Sequence, residues 1–157
     1  MEHSPGKEKM FYDDLWFFIT GGKYVSDRGN QRIEKFGDTG NFIREWGSLG
    51  AGQGQFNFPD SLAVDSAANV YVGDRDNHRI QKFSSSGNFI REWGKFGQAD
   101  GEFETPFDVA IDTSGNVFVA DRGTERIQKF TSSGLFSGHG EHLVQETDNL
   151  IISMELL

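Results

Sequence analysis

One segment occurs three times in this 157-residue chain. Its fullest copy, NVYVGDRDNHRIQKFSSSGNFIREWG, covers residues 69–94. Upstream, KYVSDRGNQRIEKFGDTGNFIREWG covers 23–47, and downstream NVFVADRGTERIQKFTSSG covers 116–134. The aspartate of the shared Asp-Arg step is Asp27, then Asp74, then Asp121, a spacing of 47 residues both times. From Asp27 to Gly47, 15 of 21 positions match Asp74 to Gly94. A fixed period of this length marks stacked units, none of which can bury its apolar face alone.

Within the middle copy, Ser61–Asp65, Asn69–Gly73, Arg79–Phe83 and Asn88–Trp93 are short runs rich in Val, Ile, Phe, Tyr and Trp. Such residues suit pleated strands. The turn-forming residues between them are short enough to join antiparallel neighbours. Each unit therefore reads as a four-stranded antiparallel meander, strands A to D. The first two strands are apolar on both faces, which implies cover on both sides. Strand D is mixed, with Phe89, Arg91 and Trp93 expected on one face and Ile90 and Glu92 on the other, and reads as the wetter edge. A small sheet covered on both faces inside and wet outside is a propeller blade. The expected blades are 11–47, 58–94 and 105–141, with a loose N-terminus at 1–10 and a non-repeating tail at 142–157 that can be strand or short helix over Leu150–Leu157. In the first blade, strand A is expected at Asp14–Phe18. In the third, strand D falls on Leu135–Glu141 and keeps only Phe136 of the pattern. The connectors 48–59 and 95–106 carry Gly50/Gly97, Gly54/Gly101, Phe56/Phe103 and Pro59/Pro106 in register, so one apolar side chain can pin each long return.

Glycine, 20 of 157 residues, exceeds the usual ~7% and fits many tight turns. Cysteine is absent, which excludes disulfides, thiol nucleophiles and Cys-based zinc sites. The net charge of −9 is uneven: residues 23–134 hold 13 Lys/Arg against 16 Asp/Glu, the flanks 2 against 8. Non-specific nucleic-acid binding needs a basic footprint that these totals do not supply, so RNA is a less favoured partner than protein. No apolar run approaches the length of a secretory core or a membrane span; the sequence does not fix the compartment, which is expected to be cytoplasmic by default and extracytoplasmic if the N-terminus is truncated.

The D-R-x-N-x-R-I-x-K-F core, the following F-I-R-E-W-G strand and the G-x-F-x-x-P approach resemble the NHL-repeat β-propellers over residues 23–134. The resemblance implies an all-β fold of three four-stranded antiparallel blades. This is a partial propeller, reaching six blades in a homodimer or within a longer chain. It also implies a binding or scaffold role toward protein or peptide partners. A metal-dependent lyase- or lactonase-like propeller is the rival reading, and a truncated remnant of a larger protein is a third. The absence of Cys removes the RING and B-box that would carry ligase activity.

Asp27, Asp74 and Asp121 with Arg32, Arg79 and Arg126 are the recurring polar residues, and Trp46 and Trp93 the recurring indoles. Identical groups in every unit suit an architectural role, in which the Asp caps the B–C turn and the Arg pairs with carboxylates across blades. The connectors precede no helix and lack a dinucleotide fingerprint. His139 and His142, and the trio Asp13, Asp60 and Asp108 at the starts of strands A, are weak metal candidates, so no metal, cofactor or catalytic set is assigned. In an A–B–C–D meander the B–C turns and D–A connectors share one end. That end collects Arg28, Asn30, Gln31, Arg75, Asn77, His78, Arg122 and Glu125 with Gln53, Gln55 and Gln98. Loops on a rigid scaffold are where binding sits, so this is the expected interaction face.

Overall fold

The computed structural model describes residues 11–12, 15–20 and 22–140, with side chains from Lys23 onward. The expectations for 1–10, Asp13, His142 and the tail lie outside the described residues. Among the described residues, thirteen strands form three antiparallel sheets. In the first blade, β1 (Phe11–Tyr12), β2 (Leu15–Thr20), β3 (Gly22–Asp27), β4 (Arg32–Phe36) and β5 (Phe42–Trp46) are hydrogen-bonded in chain order. The second blade is β6 (Pro59–Val64), β7 (Val70–Asp74), β8 (Arg79–Phe83) and β9 (Phe89–Trp93). The third is β10 (Pro106–Ile111), β11 (Val117–Asp121), β12 (Arg126–Phe130) and β13 (Phe136–His139). The inner strands lie side by side, β6 against β2 on one flank and β10 on the other. The sheets fan like propeller blades and do not close into a ring.

Strand B shows why the units stack. Along β7, Val70 and Val72 face the first blade, in a core with Tyr24, Ile33, Phe56 and Phe83. Tyr71, between them, faces the third blade, in a core with Ile80, Val109, Val119 and Phe130. Alternation in a strand sends neighbouring residues to opposite faces, so one sheet serves two cores. The connectors complete both: Phe56 and Phe103 are fully buried, each tilted against the strand-C phenylalanine of the following blade at 5.7 Å from Phe83 and 5.6 Å from Phe130.

One expectation about strand D is corrected. Phe89 and Trp93 point to opposite faces, because the ladder shifts register between Lys82 and Phe83: Ile80 opposes Trp93 while Phe83 opposes Phe89. The bulge at Ile90 absorbs one residue and rotates Phe89 into the core of the first seam, while Trp93 packs in the second. In the third blade, β13 forms despite its altered sequence, because ladder bonds use backbone groups and pairing with β12 needs no particular side chain.

Candidate interaction face

Each B–C turn begins at the repeated aspartate, and the three carboxylates are used in three ways. Asp27 accepts from the Asn30 backbone and side chain at 3.3 and 2.8 Å and from Arg32 Nε at 2.9 Å. Asp74 accepts from the Asn57 N–H at 2.7 Å, Asn77 at 2.9 Å, Arg79 Nε at 2.8 Å and Gln81 at 3.1 Å. Asp121 accepts from the N–H groups of Glu104 and Thr105 at 3.0 and 2.7 Å and from the Thr124 hydroxyl at 2.7 Å. The expected pairing of these arginines with carboxylates across blades is corrected. Arg32 and Arg79 bind carboxylates of their own blade, Asp27, Glu34 and Glu45 for the first and Asp74 and Glu92 for the second. Their position on strand C, directly opposite the strand-B aspartate in the ladder, makes the intra-blade contact the shorter reach. Beyond their own blade, Arg79 and Arg126 reach the connector. Arg79 donates to the carbonyls of Ala51, Gly52 and Gln55 at 2.8–2.9 Å. Arg126 does the same to Gln98, Ala99 and Glu102 at 2.6–2.9 Å.

The B–C turns and D–A connectors do share one end, and the bonds between them fix it. Asn77 donates to the Gly50 carbonyl at 2.8 Å, the Phe58 N–H to Gln31 Oε1 at 2.7 Å, and His78 Nδ1 to the Glu104 carbonyl at 2.8 Å. The turn-closing residues Gln31, His78 and Glu125 all hold a left-handed backbone, with φ of 54–56°. Gln31 and His78 thus tie down the connector that follows. Gln55 caps the Gly52 N–H at 3.0 Å and Gln98 bonds Glu104 at 2.7 Å. Asn30, Gln53, Gln98, Arg122 and Glu125 remain exposed, and Arg122 lies over the Phe107 ring at 5.9 Å.

Nearer the inner strands, Arg28 and Arg75 both bind Asp60, at 3.2 and 2.9 Å, and both lie over the Phe58 ring, at 5.8 and 4.7 Å. Asp60 is buried, and its two oxygens are already engaged by cations, so a metal there would have to displace both arginines. Among the described residues no group of three His, Cys, Asp or Glu is placed to hold a metal. His139 lies 3.2 Å from Asp100 and stacks edge-on with Phe136.

Sequence reasoning missed the apolar members of this end. Leu49 and Phe96, one period apart, are 67% and 66% exposed, and Phe96 meets the His78 ring at 5.0 Å. Their recurrence in register inside otherwise glycine-rich connectors is the signal that could have found them.

The NHL repeat model matches residues 56–83 and 103–130. No curated protein sequence matches the chain. Among solved structures, the fold is similar to hydrazine synthase from Kuenenia stuttgartiensis (TM-score 0.58, 15% identity, 74% of this chain and 31% of that one). It is also similar to a catalytically inactive virginiamycin B lyase from Staphylococcus aureus with quinupristin (TM-score 0.56, 13% identity, 83% and 43%). A third likeness is to a protein of unknown function from Bacteroides thetaiotaomicron (TM-score 0.57, 18% identity, 81% and 35%). The chain spans less than half the length of each, and at these identities the likeness is one of fold. With the period, the meander and the matched segments in agreement, the chain carries NHL repeats at residues 56–83 and 103–130, and its sheets have the form of β-propeller blades.

Proposed function

We propose that this chain is a non-catalytic binding module whose connector and B–C turn end takes a protein or peptide partner. The observation that carries the reading is the pair Leu49 and Phe96, two large apolar side chains left in water at equivalent places on a frame that is otherwise fastened by hydrogen bonds. Scattered apolar residues are ordinary on a surface. Here they recur one period apart, and Phe96 meets His78, one of the turn positions where the units differ from one another. Apolar anchors ringed by polar side chains are the composition of a protein-binding patch. The repeated Asp and Arg residues serve the frame, as their bonds within the blade and to the connectors indicate.

The test is retention of a partner from an extract of the protein's own cells, comparing the native chain with Leu49→Asp and Phe96→Asp. Both variants should keep the native unfolding midpoint and lose the partner. Substitutions at the opposite, C–D end, such as Ser86→Asp, should retain it. Equal capture by all variants would overturn the assignment of this face.

A further inference from the structure

The charges of the blades are sorted by end. Over residues 23–140, the strand ends that carry the A–B and C–D turns hold six Lys/Arg against three Asp. The remaining seven Lys/Arg and thirteen Asp/Glu lie at mid-strand or toward the connectors. Ion pairing follows the same division. Among the described residues, every salt bridge is made by a cation of the connector half: Arg28, Arg32, Arg75, Arg79, Lys95 or His139. The six cations of the turn end close none.

Those six are held by neutral groups. Lys35 and Arg44 donate to the carbonyls of Ser85 and Ser86, both at 2.7 Å. Lys82 and Arg91 donate to Ser132 and Ser133 at 3.1 and 2.6 Å, and Lys23 donates to the Asp38 carbonyl. Lys35, Lys82 and Lys129 also lie over the rings of Tyr24, Tyr71 and Phe118, at 5.3, 4.8 and 5.6 Å. Carbonyls and ring faces orient a cation without cancelling its charge. Asp65 and Asp112 attract Lys82 and Lys129, but their oxygens are turned into their own A–B turns, toward Ala67, Asn69 and Tyr71 and toward Ser114 and Asn116.

The ladder concentrates this positive charge. Lys35 stands directly opposite Arg44, and Lys82 opposite Arg91. Like charges facing each other across a ladder are destabilising, and the first two blades both carry the pair. An external anion at this end offsets both repulsions. Beside each cluster an aliphatic side chain is left in water. Ile43 precedes Arg44, Ile90 precedes Arg91, and Leu135 closes the turn that Lys82 and Arg91 reach. These are three of the six large hydrophobic residues exposed among the described ones.

We propose that the turn end of the blades docks on an anionic lipid bilayer, with the Lys and Arg side chains at the headgroups and Ile43, Ile90 and Leu135 at the acyl boundary. Cations beside aliphatic side chains are the composition of an interfacial anchor. A nucleic acid would leave the aliphatic side chains unused, because bases stack on rings. Tyr24 and Tyr71 are buried beneath their lysines, and Phe42 is the one ring exposed at this end among the described residues. The surface lies opposite the connector end assigned above to a protein partner and does not depend on that assignment.

The test is flotation of the full chain with vesicles of equal parts phosphatidylserine and phosphatidylcholine. The chain should float with them at low salt, be released at high salt, and not float with phosphatidylcholine alone. Arg44→Gln with Arg91→Gln should weaken partitioning about thirtyfold, the loss expected for two cations at a membrane surface. Because both arginines also bond a neighbouring turn, a second pair avoids the seams: Ile90→Gln with Leu135→Gln, exposed and in neither core, should weaken it about tenfold. Lys95→Gln, at the connector end, should change it less than about twofold. Unfolding midpoints show which variants are folded. Absence of flotation with the anionic vesicles would overturn the proposal, as would undiminished flotation of the folded Ile90/Leu135 variant. So would release from the vesicles by polyuridylate that binds the native chain and not the arginine variant, since the occupant would then be a nucleic acid.

Discussion

The first and second blades carry nearly the same D-R-x-N-x-R motif, yet their arginines live differently. The Arg79 side chain is 8% exposed and the Arg32 side chain 32%. Arg79 bonds two carboxylates and three connector carbonyls. Arg32 bonds carboxylates of its own blade, Asp27, Glu34 and Glu45. The motif residues agree, and over Arg79 the preceding connector adds three carbonyls. The motif is half of a joint, completed by the segment that precedes it in the chain.

That contrast can be broken by removing the joint's other half. Phe56→Ala should cost about 4 kcal/mol in urea unfolding, the loss expected for a large buried ring, and should loosen the connector over Arg79. In a double-mutant cycle with Arg79→Met it should couple strongly, since both act on one connector. Arg79→Met alone should cost about 3 kcal/mol, because Asp74 stays buried with a cation removed. Arg32→Met should cost less, about 2 kcal/mol, because Arg32 is partly solvated although the Asp27 carboxylate beside it is buried. Equal losses at the two arginines would refute the joint.

The A–B turns give a smaller contrast in pH. Burial raises the Asp65 pKa, but bonds from the Asn69 side chain and N–H, the Tyr71 hydroxyl and the Ala67 N–H outweigh it and leave it below the usual carboxylate value. Asp112 is lowered in the same way, against burial, by Asn116, Ser114 and nearby Lys129. A depressed carboxylate contributes stability that is present above its unfolded pKa of about 4 and is lost as pH falls through the lower folded value. Asp65→Asn with Asp112→Asn should therefore lower stability at neutral pH and flatten its fall below about pH 4. The first blade, with Phe18 at this position, has no such carboxylate to titrate. The smallest effect belongs to one turn residue. Ala68 holds φ 63° where the third blade has Gly115 at 82°. Ala68→Gly should stabilise by about 0.5 kcal/mol and Gly115→Ala should destabilise by a similar amount, read from melting midpoints.

Much of this is legible in the sequence, and the gaps have physical causes. Strand C runs from Arg79 to Phe83 as expected, a short run in which Ile80 packs in one core and Phe83 in the other. Strand A begins earlier than expected, at Pro59. Proline is tolerated as a first strand residue, and the register shift after it lets Pro59 pair with Asp74. Strict alternation misplaces Phe89, because alternation counts residues and a bulge adds one. The shared end of turns and connectors follows from topology alone. The exposed Leu49 and Phe96 do not, since glycine-rich connectors have no periodicity to read. Nor can one sequence distinguish a glycine under an indole from one facing water: Gly40, Gly87 and Gly134 look alike until the neighbouring blade is in place.

Gly140 has a further consequence. At each described seam the strand-D tryptophan of one blade, Trp46 or Trp93, covers the C–D turn glycine of the next, Gly87 or Gly134, so the row of blades has a direction. Gly138 and Gly140 stand where the first two blades have that Arg and Trp, so the outer edge of the third blade differs in kind from the edges at the two seams.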